Sequence, residues 1–150
     1  GGKNQDGKYK MDARFKRNGL IKKIRMLEFY KSRIRIYNQD AMEFLEQYGD
    51  QFPEKSIINL DPPYHDKGQV LYQNAYTHED HETIAKIVPQ ARPFWIMTYD
   101  NVEAIKKLYA PFPAVEFNLL YSAQKIYKGK EILIADPRLT LPSTKLLKSA

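Results

Sequence analysis

A short apolar run that ends in Asp61-Pro62-Pro63-Tyr64 is the feature that most constrains what this chain can fold into. Residues 56–60 are rich in branched side chains, which is typical of a strand buried in a parallel sheet. Open α/β sheets bind ligands at the carboxyl ends of their strands, so the tetrapeptide is predicted to lie at a ligand-binding edge. Proline fixes φ and has no N–H group, so the turn presents carbonyl oxygens, a carboxylate and an aromatic ring.

This turn suits a planar heterocycle that carries an exocyclic amine. The lone pair of such an amine is delocalised into its ring, so the nitrogen is a poor nucleophile unless acceptors bind its two hydrogens. The carboxylate of Asp61 and the carbonyl of Pro62 are the predicted acceptors, and Tyr64 is predicted to stack on the ring. The alternative is an ordinary strand-ending turn, because Asp and Pro are common there.

The motif Asp61-Pro62-Pro63-Tyr64 resembles the catalytic motif of the amino-group DNA methyltransferases, and residues 2–136 are similar to the Dam-like, adenine-specific branch. The resemblance implies an α/β fold, a partial Rossmann-like S-adenosylmethionine-dependent methyltransferase sheet with an antiparallel last strand pair. It implies methyl transfer from S-adenosylmethionine to the exocyclic amine of an adenine flipped out of double-stranded DNA. Asp61, Pro62, Pro63 and Tyr64 are then the catalytic residues.

Asp40 has two interpretations that can coexist. It is placed to cap a helix predicted over residues 41–48. The resemblance adds a cofactor role, because Asp40 opens an Asp-x-x-x-Phe-Leu context like the one in which Dam-like enzymes bind the adenine amine of S-adenosylmethionine. Asp61 is expected to border the same cofactor site.

Positive charge is concentrated near the start of the chain. Residues 1–35 contain twelve Lys and Arg residues against three acidic ones, within a total net charge of +6. A polyanion is the partner that this distribution favours, although a solvated basic surface is the alternative. The resemblance places residues 1–17 at the end of a DNA-contacting segment. The residues predicted to contact nucleic acid are Lys3, Lys8, Lys10, Arg14, Lys67, Tyr72, Lys125 and Lys128.

Hydrophobic periodicity and capping signals predict four helices and five strands. The helices are predicted over residues 18–30, 41–48, 77–88 and 101–109, and the strands over residues 33–38, 56–60, 93–99, 115–121 and 131–135. Asn18 is the predicted cap of the first helix, and Thr77 with Asp80 is the predicted capping box of the third. The apolar face of the first helix and the inward side of strand 33–38 are predicted to be buried: Leu20, Ile21, Ile24, Leu27, Ile34 and Ile36. The short joint between the last two strands predicts an antiparallel pair.

Composition excludes several classes of protein. The 150 residues are 43% hydrophobic and contain no cysteine, which indicates one globular domain without disulfides or thiolate metal sites. No apolar run approaches membrane-spanning length, so we expect no membrane association and a cytoplasmic protein. His65, His78 and His81 are expected at the surface or at a helix cap, with no metal site. Cytosine ring-carbon methylation needs a cysteine nucleophile, so the absence of cysteine argues against that chemistry.

The glycine-rich loop that wraps the methionine end of the cofactor in Dam-like enzymes has no counterpart among these residues. We therefore expect residues 1–136 to be the carboxyl-terminal portion of a methyltransferase catalytic domain, with residues 137–150 as a loose tail and little activity alone. Two alternatives stay open. One is a catalytically inactive nucleic-acid-binding remnant, and the other is a methyltransferase acting on an RNA or protein amine, for which related families carry Asn in place of Asp61.

Overall fold

The computed structural model describes residues 4, 6–66, 76–121 and 127–142. The chain forms two compact units, Gly1–Gln39 and Asp40–Ala150. The first unit contains helix α1, Arg17–Phe29, between two 3-10 turns, Met11–Arg14 and Lys31–Arg33. The position of α1 agrees with the helix predicted from the sequence. Its predicted cap is wrong, because Lys16 occupies the N-cap and makes no side-chain capping bond.

The predicted burial of the α1 face is also wrong. No residue of α1 is buried, and Ile24 is 65% exposed. The strand predicted over residues 33–38 is absent: residues 34–38 make no sheet pairing, and Ile36 is 90% exposed. A strand requires a neighbouring strand to pair its backbone groups, and no strand is found among the described residues of this unit. An alternating pattern of side chains is therefore not enough to form a strand here.

In its described residues, the second unit contains a four-stranded sheet and the α-helices named below. The strands are β1 (Ile57–Leu60), β2 (Phe94–Asp100), β3 (Ala114–Tyr121) and β4 (Tyr127–Ala135), in the order β1-β2-β4-β3. The helices are α2 (Ala41–Tyr48), α3 (His78–Ile87) and α4 (Glu103–Leu108). β1 and β2 are parallel, whereas β4 is antiparallel to both β2 and β3. The mixed α/β fold and the antiparallel last pair are therefore confirmed.

Two helices of this unit, α2 and α3, begin with side-chain caps. Asp40 Oδ1 accepts hydrogen bonds from the backbone N–H groups of Met42 and Glu43, at 2.8 and 3.3 Å, as predicted for the start of α2. α3 begins with a reciprocal capping box between Thr77 and Asp80, which was also predicted. These bonds satisfy donors that the first helical turn leaves without partners.

The hydrophobic core lies between β2, β4 and the helices. It is built from Leu45, Leu60, Ile84, Val88, Trp95, Met97, Tyr99, Ile105, Tyr109, Ile132 and Ile134. β1 is parallel as predicted. Its predicted burial is wrong except at Leu60, and Ile57 is 57% exposed, because β1 lies at an edge of this sheet. Within the described ranges, no helix combines the length and apolar character needed to cross a membrane.

The sheet topology brings the carboxyl ends of β1 and β2 to one edge, beside the middle of β4. β1 and β2 are parallel, so their carboxyl ends lie at the same edge. β4 is antiparallel to β2, which places the residue pair Asp100 and Glu131 at that edge. The turn that follows Leu60 therefore starts close to the end of β2 and to the central residue of β4, Glu131.

Candidate functional site

The predicted catalytic turn, residues 61–64, leaves β1 at this edge. Asp61 is exposed, whereas Pro62, Pro63 and Tyr64 are each partly buried. The hydroxyl of Thr98, on β2, donates a hydrogen bond of 3.1 Å to Asp61 Oδ1. That bond does not use Asp61 Oδ2. An exposed carboxylate with an oxygen outside this bond can accept a hydrogen from a ligand amine.

Asp100 fixes the backbone that follows the turn. Its two oxygens each accept one backbone N–H group, from His65 and from Asp66, both at 2.9 Å. Asp100 is only 3% exposed. These two bonds connect the end of β2 to the chain directly after Tyr64.

Tyr64 is held at its hydroxyl end by a side chain of β4. The pKa of Tyr64 is raised far above its ordinary value of 10.0, first by burial and then by the charge of Glu131 and a hydrogen bond to it. The charges of Asp61 and Asp100 raise it further. The hydroxyl therefore stays protonated and donates to the Glu131 carboxylate, which is 2% exposed. Glu131 has no assigned role in the sequence-based predictions, although a glutamate opening the apolar run Ile132-Leu133-Ile134 is a signal of a buried charge.

His81 lies in α3, and its side chain is completely buried, so the surface location predicted for it is wrong. Its Nδ1 is 3.1 Å from the hydroxyl of Tyr99. The centre of its ring lies 5.3 Å from the ring centre of His65 and 5.7 Å from that of Tyr76. Burial, and then the nearby imidazole of His65, lower the pKa of His81. The signal that could have placed it is spacing: His81, Ile84 and Val88 share one helical face.

His65 and His78 form a hydrogen-bonded pair near the same edge. His65 Nδ1 lies 2.8 Å from Asp66 Oδ1, and His65 Nε2 lies 3.3 Å from His78 Nδ1. His65 is partly buried and His78 is exposed. Among the residues that the structure describes, no group of three or more His, Cys, Asp or Glu side chains could hold a metal ion.

An open groove of about 300 Å³ runs between the start of α2 and the edge strand β1. Its lining is mostly apolar: Ala41, Phe44, Leu45, Phe52, Ser56, Ile57, Ile58, Asn59 and Leu60. The residues adjoining the two ends of this lining in sequence are Asp40 and Asp61. Both capping bonds of Asp40 use Oδ1, and neither uses Oδ2. The groove therefore has a mostly apolar lining, and an aspartate is the next residue in sequence at each end of that lining.

Only some of the residues predicted to contact nucleic acid lie within the described part of the chain. Lys8 and Lys10 are exposed, and the Lys8 ammonium lies 5.8 Å from the ring centre of Tyr9. Arg14 lies in a 3-10 turn and Lys128 in β4, but their side chains lie outside the described part of the chain. Four further residues lie entirely outside the described residues: Lys3, Lys67, Tyr72 and Lys125. The predicted catalytic residues, which are consecutive, lie within the described residues, but their role and that of the predicted DNA-contacting set stay predictions.

No protein-family model matches this chain. A search of curated proteins likewise gave no significant match.

Proposed function

We propose that this chain carries the target-amine site of an S-adenosylmethionine-dependent DNA adenine amino-methyltransferase built on a partial Rossmann-like sheet. One observation supports it above the others. An exposed carboxylate, Asp61, stands at the carboxyl end of a parallel strand, beside a tyrosine, Tyr64, whose hydroxyl and flanking backbone are anchored to buried carboxylates. A rigid acceptor next to an aromatic ring is what recognition of a nucleobase amine requires.

Three residues of the turn, Asp61, Pro62 and Tyr64, have a defined part in this reaction. Asp61 Oδ2 and the carbonyl of Pro62 accept the two hydrogens of the adenine amine, which turns the nitrogen lone pair away from the ring. Thr98 orients Asp61 through its bond to Oδ1. Tyr64 stacks on the base, which compensates for stacking lost when an adenine leaves the duplex. The Asp61 carboxylate can also receive the proton that the amine nitrogen loses when it is methylated.

The residues around the groove beside β1 fit the adenine end of S-adenosylmethionine. The groove beside β1 is apolar, has a volume of about 300 Å³ and is adjoined by Asp40 and Asp61, which suits the adenine end of S-adenosylmethionine. Asp40 Oδ2 would accept the cofactor's adenine amine while Oδ1 caps α2. When bound, S-adenosylmethionine supplies an electrophilic methyl group on a positively charged sulfur. No G-x-G sequence occurs in the chain, so these residues lack the cradle expected for the methionine end.

Amine recognition can be tested without knowing the target sequence. The probe is a DNA duplex with one unpaired adenine, compared with the same duplex carrying an unpaired purine, which lacks the amine. We expect wild-type protein to bind the adenine duplex about tenfold more tightly, since a hydrogen bond to a charged acceptor contributes roughly 1.5–3 kcal/mol.

The Asp61→Ala substitution should abolish that preference while leaving overall DNA affinity nearly unchanged. Asp50→Ala, which removes another exposed carboxylate, is the matched control and should keep the preference. Equal binding of both duplexes by wild-type protein would refute the proposed function. A preference that survives Asp61→Ala would assign amine recognition to another group.

A further inference from the structure

Two buried carboxylates stand side by side below the proposed target site. Asp100 ends β2, Glu131 lies in β4, and the two residues are directly paired across the antiparallel ladder. They are 3% and 2% exposed. Burying a carboxylate is unfavourable unless hydrogen bonds compensate, and two adjacent buried carboxylates repel each other. Their bonding partners therefore indicate what this arrangement stabilises.

Both carboxylates bind the same short segment of chain. Asp100 accepts the backbone N–H groups of His65 and Asp66, each at 2.9 Å. Glu131 accepts the hydroxyl of Tyr64. The groups that donate these three bonds belong to three consecutive residues, and the two strands that accept them lie far from these residues in sequence. One end of the Tyr64 side chain is thus tied to β4, and the backbone that follows it is tied to β2.

Such ties reduce the freedom of the ring. A tyrosine on an irregular turn normally samples several rotamers, and binding a ligand against it would immobilise them at a cost in free energy. Here the hydrogen bond of the hydroxyl group fixes the far end of the ring. The two hydrogen bonds from the N–H groups of His65 and Asp66 fix the backbone that follows Tyr64. The ring is held in one orientation before any base arrives, which is the preorganisation that precise sites depend on.

We propose that Asp100 and Glu131 are positioning residues that orient Tyr64 for stacking on the target base, an inference that rests on the proposed function. They contact neither base nor cofactor, and they act through Tyr64 and the following backbone. Glu131 needs only to accept a hydrogen bond. Asp100 needs two acceptor oxygens, because it receives two N–H groups.

The test measures the contribution of the base separately from that of the phosphates. The probe is a duplex with one unpaired adenine, compared with an identical duplex that carries an abasic site at that position, and the readout is the ratio of the two dissociation constants. Stacking contributes about 1–3 kcal/mol per base, so we expect the wild-type protein to favour adenine by about tenfold or more. Fluorescence of Trp95, the single and buried tryptophan, reports the folded fraction of each variant.

Four variants distinguish positioning from folding. Glu131→Gln keeps an acceptor and should keep the ratio within about threefold of wild type, whereas Glu131→Met removes the acceptor and should lower it about tenfold. Tyr64→Phe removes only the hydroxyl, from a partly exposed ring, and should also lower the ratio. Asp100→Asn replaces one acceptor with a donor and should lower it too.

The matched control is Asp136→Asn, since Asp136 is equally buried and pairs with Arg138. It should lower stability and leave the ratio unchanged. If folded Glu131→Met and Tyr64→Phe proteins keep the wild-type ratio, the positioning role is overturned while the proposed function stands. If wild-type protein itself shows a ratio of one, the proposed function fails, and this inference fails with it.

Discussion

Replacing His81 with Asn should remove a specific pH dependence from the stability of this protein. His81 is completely buried, its Nδ1 bonds the Tyr99 hydroxyl, and its Nε2 has no hydrogen-bond partner among the residues that the structure describes. The amide of Asn can occupy the position of Nδ1 but cannot take up a proton. The groups whose charges act on His81 are His65 and His78, which lower its pKa, and Asp80 and Asp100, which raise it. Burial has the largest effect, so the pKa of His81 lies below its ordinary value of 6.5.

The sign of the effect follows from proton binding in the two states. Above pH 6.5 His81 is neutral in both the folded and the unfolded chain, and the stability is fully present. Below pH 6.5 the unfolded chain takes up the proton first, so stability falls until the pH reaches the lowered pKa of the folded state. Between pH 7.5 and pH 5.5 this single group can remove on the order of 1 kcal/mol from the free energy of unfolding.

Urea unfolding followed by Trp95 fluorescence measures that loss, because Trp95 is buried against the ring of Phe112. His81→Asn should have a lower free energy of unfolding at every pH but a shallower fall between pH 7.5 and 5.5. His78→Asn, which removes an exposed histidine of the same helix, should change the slope much less than His81→Asn does, because His78 is only the smallest of the influences on the pKa of His81. Parallel pH profiles for wild type and His81→Asn would show that His81 binds protons equally in both states, and the reasoning would be wrong.

Three further predictions use simple assays. Thr77→Ala should lower the free energy of unfolding by about 1 kcal/mol, since it removes an N-cap, while Thr83→Ala, which loses only a bond to a backbone carbonyl within the helix, should change little. Arg138→Ala should cost about 1–3 kcal/mol by leaving the buried Asp136 carboxylate without its guanidinium, and Arg138→Lys should cost less. Incubated with labelled S-adenosylmethionine and adenine-containing duplex, the isolated chain should transfer little or no methyl; robust turnover would contradict the importance given to a G-x-G cradle.

Elements that depend on local chemistry could be predicted from the sequence. The cap at Asp40 and the box at Thr77 and Asp80 are bonds between near neighbours, and both are confirmed. The strands β2, β3 and β4 were also found, because branched and aromatic runs bounded by turn residues are strong signals. The Asp61 turn was located at a strand's carboxyl end for the same reason.

Features that depend on distant partners could not be predicted. Residues 33–38 have the alternation of a strand, yet they pair with no strand among the described residues. The apolar face of α1 likewise contains no buried residue. Conversely, His81 is polar but buried, because its spacing from Ile84 matters more than its chemistry. Glu131 acquires its contact with Tyr64 only through the order of strands in the sheet, which no local pattern encodes.

Salt concentration should separate the two kinds of contact that the proposed function requires. The carboxylates Asp61, Asp100 and Glu131 make the strand edge unfavourable for phosphate, so selectivity for a base and affinity for the backbone must come from different residues. The basic excess of residues 1–35 is the natural source of backbone affinity. Raising the salt concentration should therefore weaken binding of adenine-containing and abasic duplexes along parallel lines in a plot of log affinity against log salt. Their ratio should stay constant, because stacking and amine recognition release no counterions; a ratio that collapses as salt rises would mean that the preference for adenine is itself a phosphate contact.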